Sequence, residues 1–249
     1  MNAYQSLAVS YDRLTNDVDY PAIVDFYWQI LDGIGLKPRT AVDLACGTGS
    51  VTLLLAQRGL DVLGVDMSGD MLTVAWDKAQ NLPKPPRFVC QKLQELHLPR
   101  GVDLEVCALD SLDYITDPDD CAKAIRRVYK ALNPGGIFIF DVNTIQKLQA
   151  MNDQVFLDED DDVYCVWRGS FDDRTNICTY AMDLFQREGD AWIRSFEDHQ
   201  EYAYSPEQLT RYLKDAGFTD IRVYGDRVME QPGAQEQRIY FSARKGRRV

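Results

Sequence analysis

A chain of 249 residues, 45% of them hydrophobic, supplies the core of one large α/β domain, or of one domain carrying an insertion. With 39 acidic residues against 27 basic ones the formal net charge is −12. That field repels nucleic-acid phosphates and anionic membranes, so neither is expected as a partner.

The N-terminal MNAYQSLAVSYDRL lacks the basic region and apolar run of a signal peptide, and no apolar stretch is long enough to span a bilayer. The six cysteines contain no CxxC pair, which predicts neither a disulfide framework nor a metal site, and makes a cytoplasmic location the default. From Tyr20-Pro21 an amphipathic run carries Ile23, Val24, Phe26, Tyr27, Ile30 and Leu31 and stops at Gly33 and Gly35, so residues 1–37 read as a helical cap. Strand and helix signals then alternate. Strands are expected at Ala41 to Ala45, Val62 to Val65, Pro86 to Cys90, Asp103 to Leu109 and Ile137 to Val142. Helices are expected at Ser50 to Gln57, Ser68 to Ala79 and Asp119 to Leu132, with a turn at Asn133-Pro134-Gly135-Gly136. The strand before Asn143 is apolar except for Asp141, as a strand buried on both faces should be.

This pattern predicts a doubly wound, Rossmann-like, mostly parallel sheet over residues 38–145. From 146 to 204 the chain switches to period-two alternation, at Val163 to Trp167, Ile177 to Phe185 and Trp192 to Tyr204. An antiparallel insertion follows from that, expected to close over a substrate or to form a homodimer contact. The acidic run Asp158 to Asp162 reads as a solvated loop. Ser205 and Gln208 form a capping box for a further helix, and two strands close residues 205–249.

Chemistry concentrates at Asp43-Leu44-Ala45-Cys46-Gly47-Thr48-Gly49, between the first strand and the first helix of the sheet. Gly47 and Gly49 let a ligand approach the backbone, and the helix N-terminus beyond them offers unpaired N–H groups. A dinucleotide loop needs a third glycine, and Thr52 stands there, so a pyrophosphate is disfavoured. Asp43 suits instead a ligand with an ammonium group. About 20 residues past the loop Asp66 ends the second strand, where an acid can accept from both hydroxyls of a ribose. As a strand-end residue it is expected to matter for binding rather than folding.

These motifs, D-x-A-C-G-T-G-S, then G-V-D-M-S from Gly64, then L-N-P-G-G from Leu132, resemble class I S-adenosylmethionine-dependent methyltransferases over nearly the whole chain. Tyr4-x-x-Leu7-Ala8 with Tyr11-Asp12, Asp110 to Tyr114, and H-x-x-Y-x-Y-S-P-E-Q-L from His199 are similar to the small-molecule branch, including aminosugar N,N-dimethyltransferases and glycine N-methyltransferase-like enzymes. The resemblance implies a seven-stranded sheet, S-adenosyl-L-methionine as cofactor, and methyl transfer to an N or O atom of a small molecule. It also implies residue roles. Asp43, Ala45, Gly47 and Gly49 surround the methionine part, Asp66 takes the ribose, and Met67 packs on adenine. Gln91, Lys92 and Leu93 lie at the adenine edge, Leu109 and Asp110 wall the sulfonium, and Tyr4 and Tyr11 cover the cofactor. Relatives commonly carry an acid where Lys92 stands. An ammonium accepts no hydrogen bond, so adenine is expected on Gln91 or backbone, or Lys92 points away.

Of the two histidines, His97 sits in a polar turn. His199 would share a strand face with Ile193, Ser195, Glu197 and Glu201, and is the candidate base if that face looks into the site. The rival readings are an RNA or protein methyltransferase, a nicotinamide dehydrogenase, and a protein that binds the cofactor without catalysis. Charge and the absence of an N-P-P-Y or D-P-P-Y motif weigh against RNA, and Thr52 weighs against the dehydrogenase.

Overall fold

Residues 11–98 and 101–246 are described by the computed structural model. Two helices come first, α1 (Tyr11–Leu14) and α2 (Tyr20–Gly33). Asp19 caps α2 by accepting from the N–H of Ala22 at 3.0 Å, and Pro21 sits where the first turn needs no donor. The six apolar residues read from the sequence are the buried side of α2.

Then β1 (Thr40–Leu44), α3 (Ser50–Gln57), β2 (Asp61–Asp66), α4 (Gly69–Ala79), β3 (Arg87–Cys90), β4 (Val102–Cys107), α5 (Pro118–Ala131) and β5 (Leu132–Asn143) alternate. The chain continues through α6 (Ile145–Ala150), β6 (Val155–Glu159), β7 (Val163–Asp172), β8 (Ile177–Glu188) and β9 (Ala191–Tyr202). It closes with α7 (Pro206–Ala216), β10 (Phe218–Tyr224) and β11 (Arg238–Lys245).

Seven strands form one sheet in the order β10-β11-β5-β4-β1-β2-β3. β11 runs antiparallel to β5 and β10, and the other pairs are parallel. This is a Rossmann-like sheet. One face buries Val51 and Leu55 of α3 and the apolar side of α2 against Ala41, Val62, Leu104 and Ile139. The other buries Cys121, Ile125 and Val128 of α5 and Leu209 and Leu213 of α7 against Val42, Cys107, Phe140 and Phe241. Because β1 lies between β2 and β4, successive crossovers leave β1 in opposite directions. The carboxyl ends of β1 and β4 therefore flank a crevice, the place where sheets of this kind hold ligands.

Three local differences from the sequence reading stand out. The expected turn at Asn133 to Gly136 lies inside β5, as an irregularity between the pairs Val102↔Leu132 and Leu104↔Ile137. A side chain at Gly136 would meet backbone oxygens of Asn133 and Asp103 at 3.0 Å, so glycine lets β5 stay paired there. The insertion has four strands, β6-β7-β8-β9, not three, and α6 leads into it. The acidic run is only partly loop, since Asp158 and Glu159 end β6 and Asp158 accepts from the Trp167 indole at 2.8 Å.

Candidate active site

Three non-glycine residues with left-handed backbones mark the crevice: Ala45 (φ 52°) after β1, then Leu109 (φ 54°) and Asp110 (φ 51°) after β4. Such residues cost about 1–3 kcal/mol each unless their surroundings hold them, and they gather at functional sites. Here the holder is visible. The Asp141 carboxylate, with no exposed surface, accepts from the N–H of Leu109 at 2.9 Å and from that of Asp110 at 3.0 Å. Arg238, from the start of β11, pairs with both Asp110 and Asp141. Burial raises the Asp141 carboxyl above its usual range and Arg238 opposes that rise.

The glycine loop is built as its sequence requires. Gly47 (φ 53°) and Gly49 (φ 81°) are both left-handed, and Gly49 also packs where a Cβ would meet that of Ala75 at 3.0 Å. Asp66, at the end of β2, clamps the loop: one carboxylate oxygen accepts from Gly47 N and the other from Ser68 N, each at 2.8 Å. Ser68 is the cap of α4, accepting from Met71 N. Burial raises the Asp66 carboxyl, and the two backbone N–H groups offset part of the rise. Asp66 is thus a structural part of the loop as well as a cavity residue, which corrects the expectation that it serves binding alone.

A cavity of about 800 Å³ opens over these elements, toward the upper end of the usual range for small-molecule sites, about 300–1,000 Å³. It brings together most of the residues read from the sequence: Tyr11, Ala45, Gly47, Asp66, Met67, Gln91, Lys92, Leu93, Leu109, Asp110 and His199. Asp43 lies outside it, 1% exposed, beside a small adjoining recess, with the Thr52 hydroxyl donating to its carboxylate at 2.5 Å. Gly49 borders neither space, and its role is the turn and the contact with Ala75. Tyr4 falls outside the described residues. Lys92 lines the cavity rather than facing away, and the Gln91 side-chain oxygen accepts from His97 N at 3.1 Å.

The insertion supplies the far wall. Asp198, His199 and Gln200 of β9 line the same cavity as the glycine loop, with Tyr114 and Ile115 from the segment after β4. Glu197, His199 and Glu201 share the buried face of β9, and His199 Nε2 lies 3.1 Å from Glu197 Oε2. Tyr114 meets the His199 ring edge-on, centroids 6.2 Å apart. The short helix α1 joins the walls. Asp12 accepts from the Thr48 hydroxyl and from Lys78 Nζ, each at 2.6 Å, while the next residue, Arg13, lies 3.5 Å from Asp162 at the insertion's tip.

Sequence reasoning missed Arg238. The strand it opens was legible, and so was the lone acid of β5. Only the antiparallel pairing of β11 with β5, which sets Arg238 opposite Asn143, brings the two charges together.

The residues fit an adenosyl cofactor. Met67, 57% exposed on the protein alone, forms an apolar shelf with Met71 and Leu93 beside the Asp66 carboxylate. A purine face next to a diol acceptor is what that combination suits. The described residues contain no cluster of metal-binding side chains.

Comparison with known proteins decides the family. A methyltransferase-domain family matches residues 41–136. The crystal structure of an S-adenosylmethionine-dependent methyltransferase from Clostridium acetobutylicum is 33% identical, covers 98% of this chain and all of its own, and superposes with a TM-score of 0.88. The chain belongs to the S-adenosylmethionine-dependent methyltransferases. The Bacillus subtilis protein YqeM, whose methyltransferase name is provisional, is 30% identical to this methyltransferase over 248 residues, 99% of this chain and 98% of its own. CalS10, an amino pentose methyltransferase from Micromonospora echinaspora, shares the fold at 15% identity and a TM-score of 0.76, with 98% and 99% of the chains covered.

Proposed function

We propose that this methyltransferase acts on an N or O atom of a small molecule, as a single domain in which residues 146–204 form the lid. The observation that carries the reading is the shared cavity. Asp66 and Met67 on one side and Asp198, His199 and Gln200 on the other line one space, so cofactor and a small acceptor can lie in contact.

The cofactor supplies an activated methyl group on a positively charged sulfur and leaves as a neutral thioether. The protein's part is positioning and exclusion of water. Asp66 binds the ribose hydroxyls with the lone pairs its backbone donors leave. Met67, Gln91, Lys92 and Leu93 hold the adenine. Ala45, Gly47 and Gly49 form the loop around the methionine part, with Asp43 behind it, and Leu109 and Asp110 wall the sulfur. Tyr11 covers the cofactor. His199 takes the acceptor's proton, with Glu197 against its ring.

The formal charge of −12 supports a small-molecule partner rather than nucleic acid. Among the described residues no helix is long and apolar enough to cross a membrane, in keeping with a cytoplasmic location. The exposed Leu157, Tyr164 and Phe196 of the insertion leave a surface for a homodimer. Incubation with labelled S-adenosylmethionine and a panel of amines, phenols and sugars tests the reading. Label in a small product is expected. Label only in added RNA or protein would overturn it.

A further inference from the structure

We infer that Arg238 is a positioning residue that balances the charge of the wall facing the cofactor's sulfur, and so sets how strongly the site prefers the charged cofactor over its neutral product. The inference rests on the cofactor placement proposed above.

Arg238 lines the cavity with an 18% exposed side chain. One guanidinium nitrogen meets Asp110, which also lines the cavity, and another meets the fully buried Asp141. The Asp141 oxygens in turn hold the N–H groups of Leu109 and Asp110 in their left-handed turn. Two carboxylates, one guanidinium and two backbone donors therefore form one unit from three strand ends. Burial by itself lowers the basicity of Arg238, yet Asp110 and Asp141 outweigh it and hold the guanidinium charged.

Methyl transfer removes the positive charge from sulfur. The C–S bond breaks with its electron pair going to sulfur, the acceptor's lone pair forms the new C–X bond, and the acceptor's proton passes to His199 or to water. Anions in the wall stabilise the charged reactant and not the neutral product. With Arg238 the pair Asp110 and Asp141 carries one net negative charge, and without it two wherever the buried Asp141, which then loses the cation opposing its protonation, is ionised. A doubly negative wall would hold the cofactor more tightly in the ground state than in the transition state, where charge is already leaving sulfur, and would slow the reaction. Arg238 thus keeps the wall's shape and halves its charge.

Calorimetric titration with S-adenosylmethionine and S-adenosylhomocysteine separates this role from a structural one. In Arg238→Met, titrated up to pH 9 where the unpaired Asp141 is driven toward its ionised form, the affinity ratio is expected to move toward S-adenosylmethionine by roughly tenfold, the size of one added charge acting through a partly polar medium. Arg238→Lys should keep the wild-type ratio, and Asp110→Asn with Arg238→Met should return it to within about threefold. Asp110→Asn alone, which needs no change at Arg238, should move the ratio toward S-adenosylhomocysteine. Parallel weakening of both ligands, or an unmoved ratio in Arg238→Met and Asp110→Asn, would overturn the inference. Failure of the wild-type protein to bind either ligand would instead overturn the placement beneath it.

Discussion

Thr52 donates its hydroxyl to Asp43 at 2.5 Å, from the position a dinucleotide loop would give to its third glycine. Thr52 is fully buried and Asp43 is 1% exposed. The residue that argued against a pyrophosphate in the sequence is thus the partner of the acid behind the loop.

A pH dependence follows. Burial pushes the Asp43 carboxyl up to about 7, with Thr52 holding it below where burial alone would put it. A carboxyl raised on folding keeps its proton in the native state and loses it on unfolding. Its contribution to stability is complete below about pH 3.8 and is lost as pH rises through about 7. Thermal melts of the ligand-free protein from pH 4 to 8 should show this decline in the wild type and a flatter profile in Asp43→Asn. Equal slopes would mean that Asp43 is ionised in the fold throughout.

Asp66→Ala is expected to weaken S-adenosylmethionine binding by on the order of a hundredfold, from contacts worth roughly 1.5–3 kcal/mol each. The melting temperature without ligand should fall too, since Gly47 N and Ser68 N lose their acceptors. Lost binding with an unchanged melt would mean that the loop holds without its clamp.

His199→Ala should leave S-adenosylmethionine affinity within about threefold and lower turnover by roughly 10²–10⁴-fold if His199 takes the acceptor's proton. Full turnover in the variant would return His199 to the structural role that its burial against Glu197 also suits.

Glu105 is fully buried in β4, and neither carboxylate oxygen has a hydrogen-bond partner among the described residues. Burial holds its proton on well above the usual carboxylate range, with Lys245 opposing. Glu105→Met should stabilise the fold by about 1–3 kcal/mol by removing an unsatisfied polar group. The gain should widen as pH rises, because the wild-type acid resists ionisation only while folded. Denaturant melts at pH 6 and 9 measure both effects. A less stable variant would show that the buried carboxyl contributes more to the fold than its desolvation costs.

The alternating strands and helices were legible because parallel strands buried on both faces are nearly pure apolar runs, as from Ile137 to Val142. The glycine loop and Asp66 were legible because their chemistry is local and fixed by spacing. The insertion's first strand was not. Val155 to Glu159 is exposed along its whole length, so no burial imprints alternation on it, and it is a strand only because β7 pairs with it. Arg238 was hidden for a related reason, since its partners lie 128 and 97 residues away. The fully buried position of Asp43 was also invisible, because a motif gives position along the chain and not depth.

Asp12 and Arg13 are neighbours on a four-residue helix, yet one is tied to the glycine loop and α4 and the other to the tip of the insertion. Tyr11 and Leu14 of the same helix also pack against Val163, Met182 and Leu184 of the insertion, so an apolar contact joins α1 to that side as well. The exposed Arg13–Asp162 pair is worth about 0–1 kcal/mol and is weakened by salt, whereas the Thr48 that donates to Asp12 is 2% exposed. Salt therefore loosens only the Arg13–Asp162 part of this junction, while the apolar part keeps the insertion against α1.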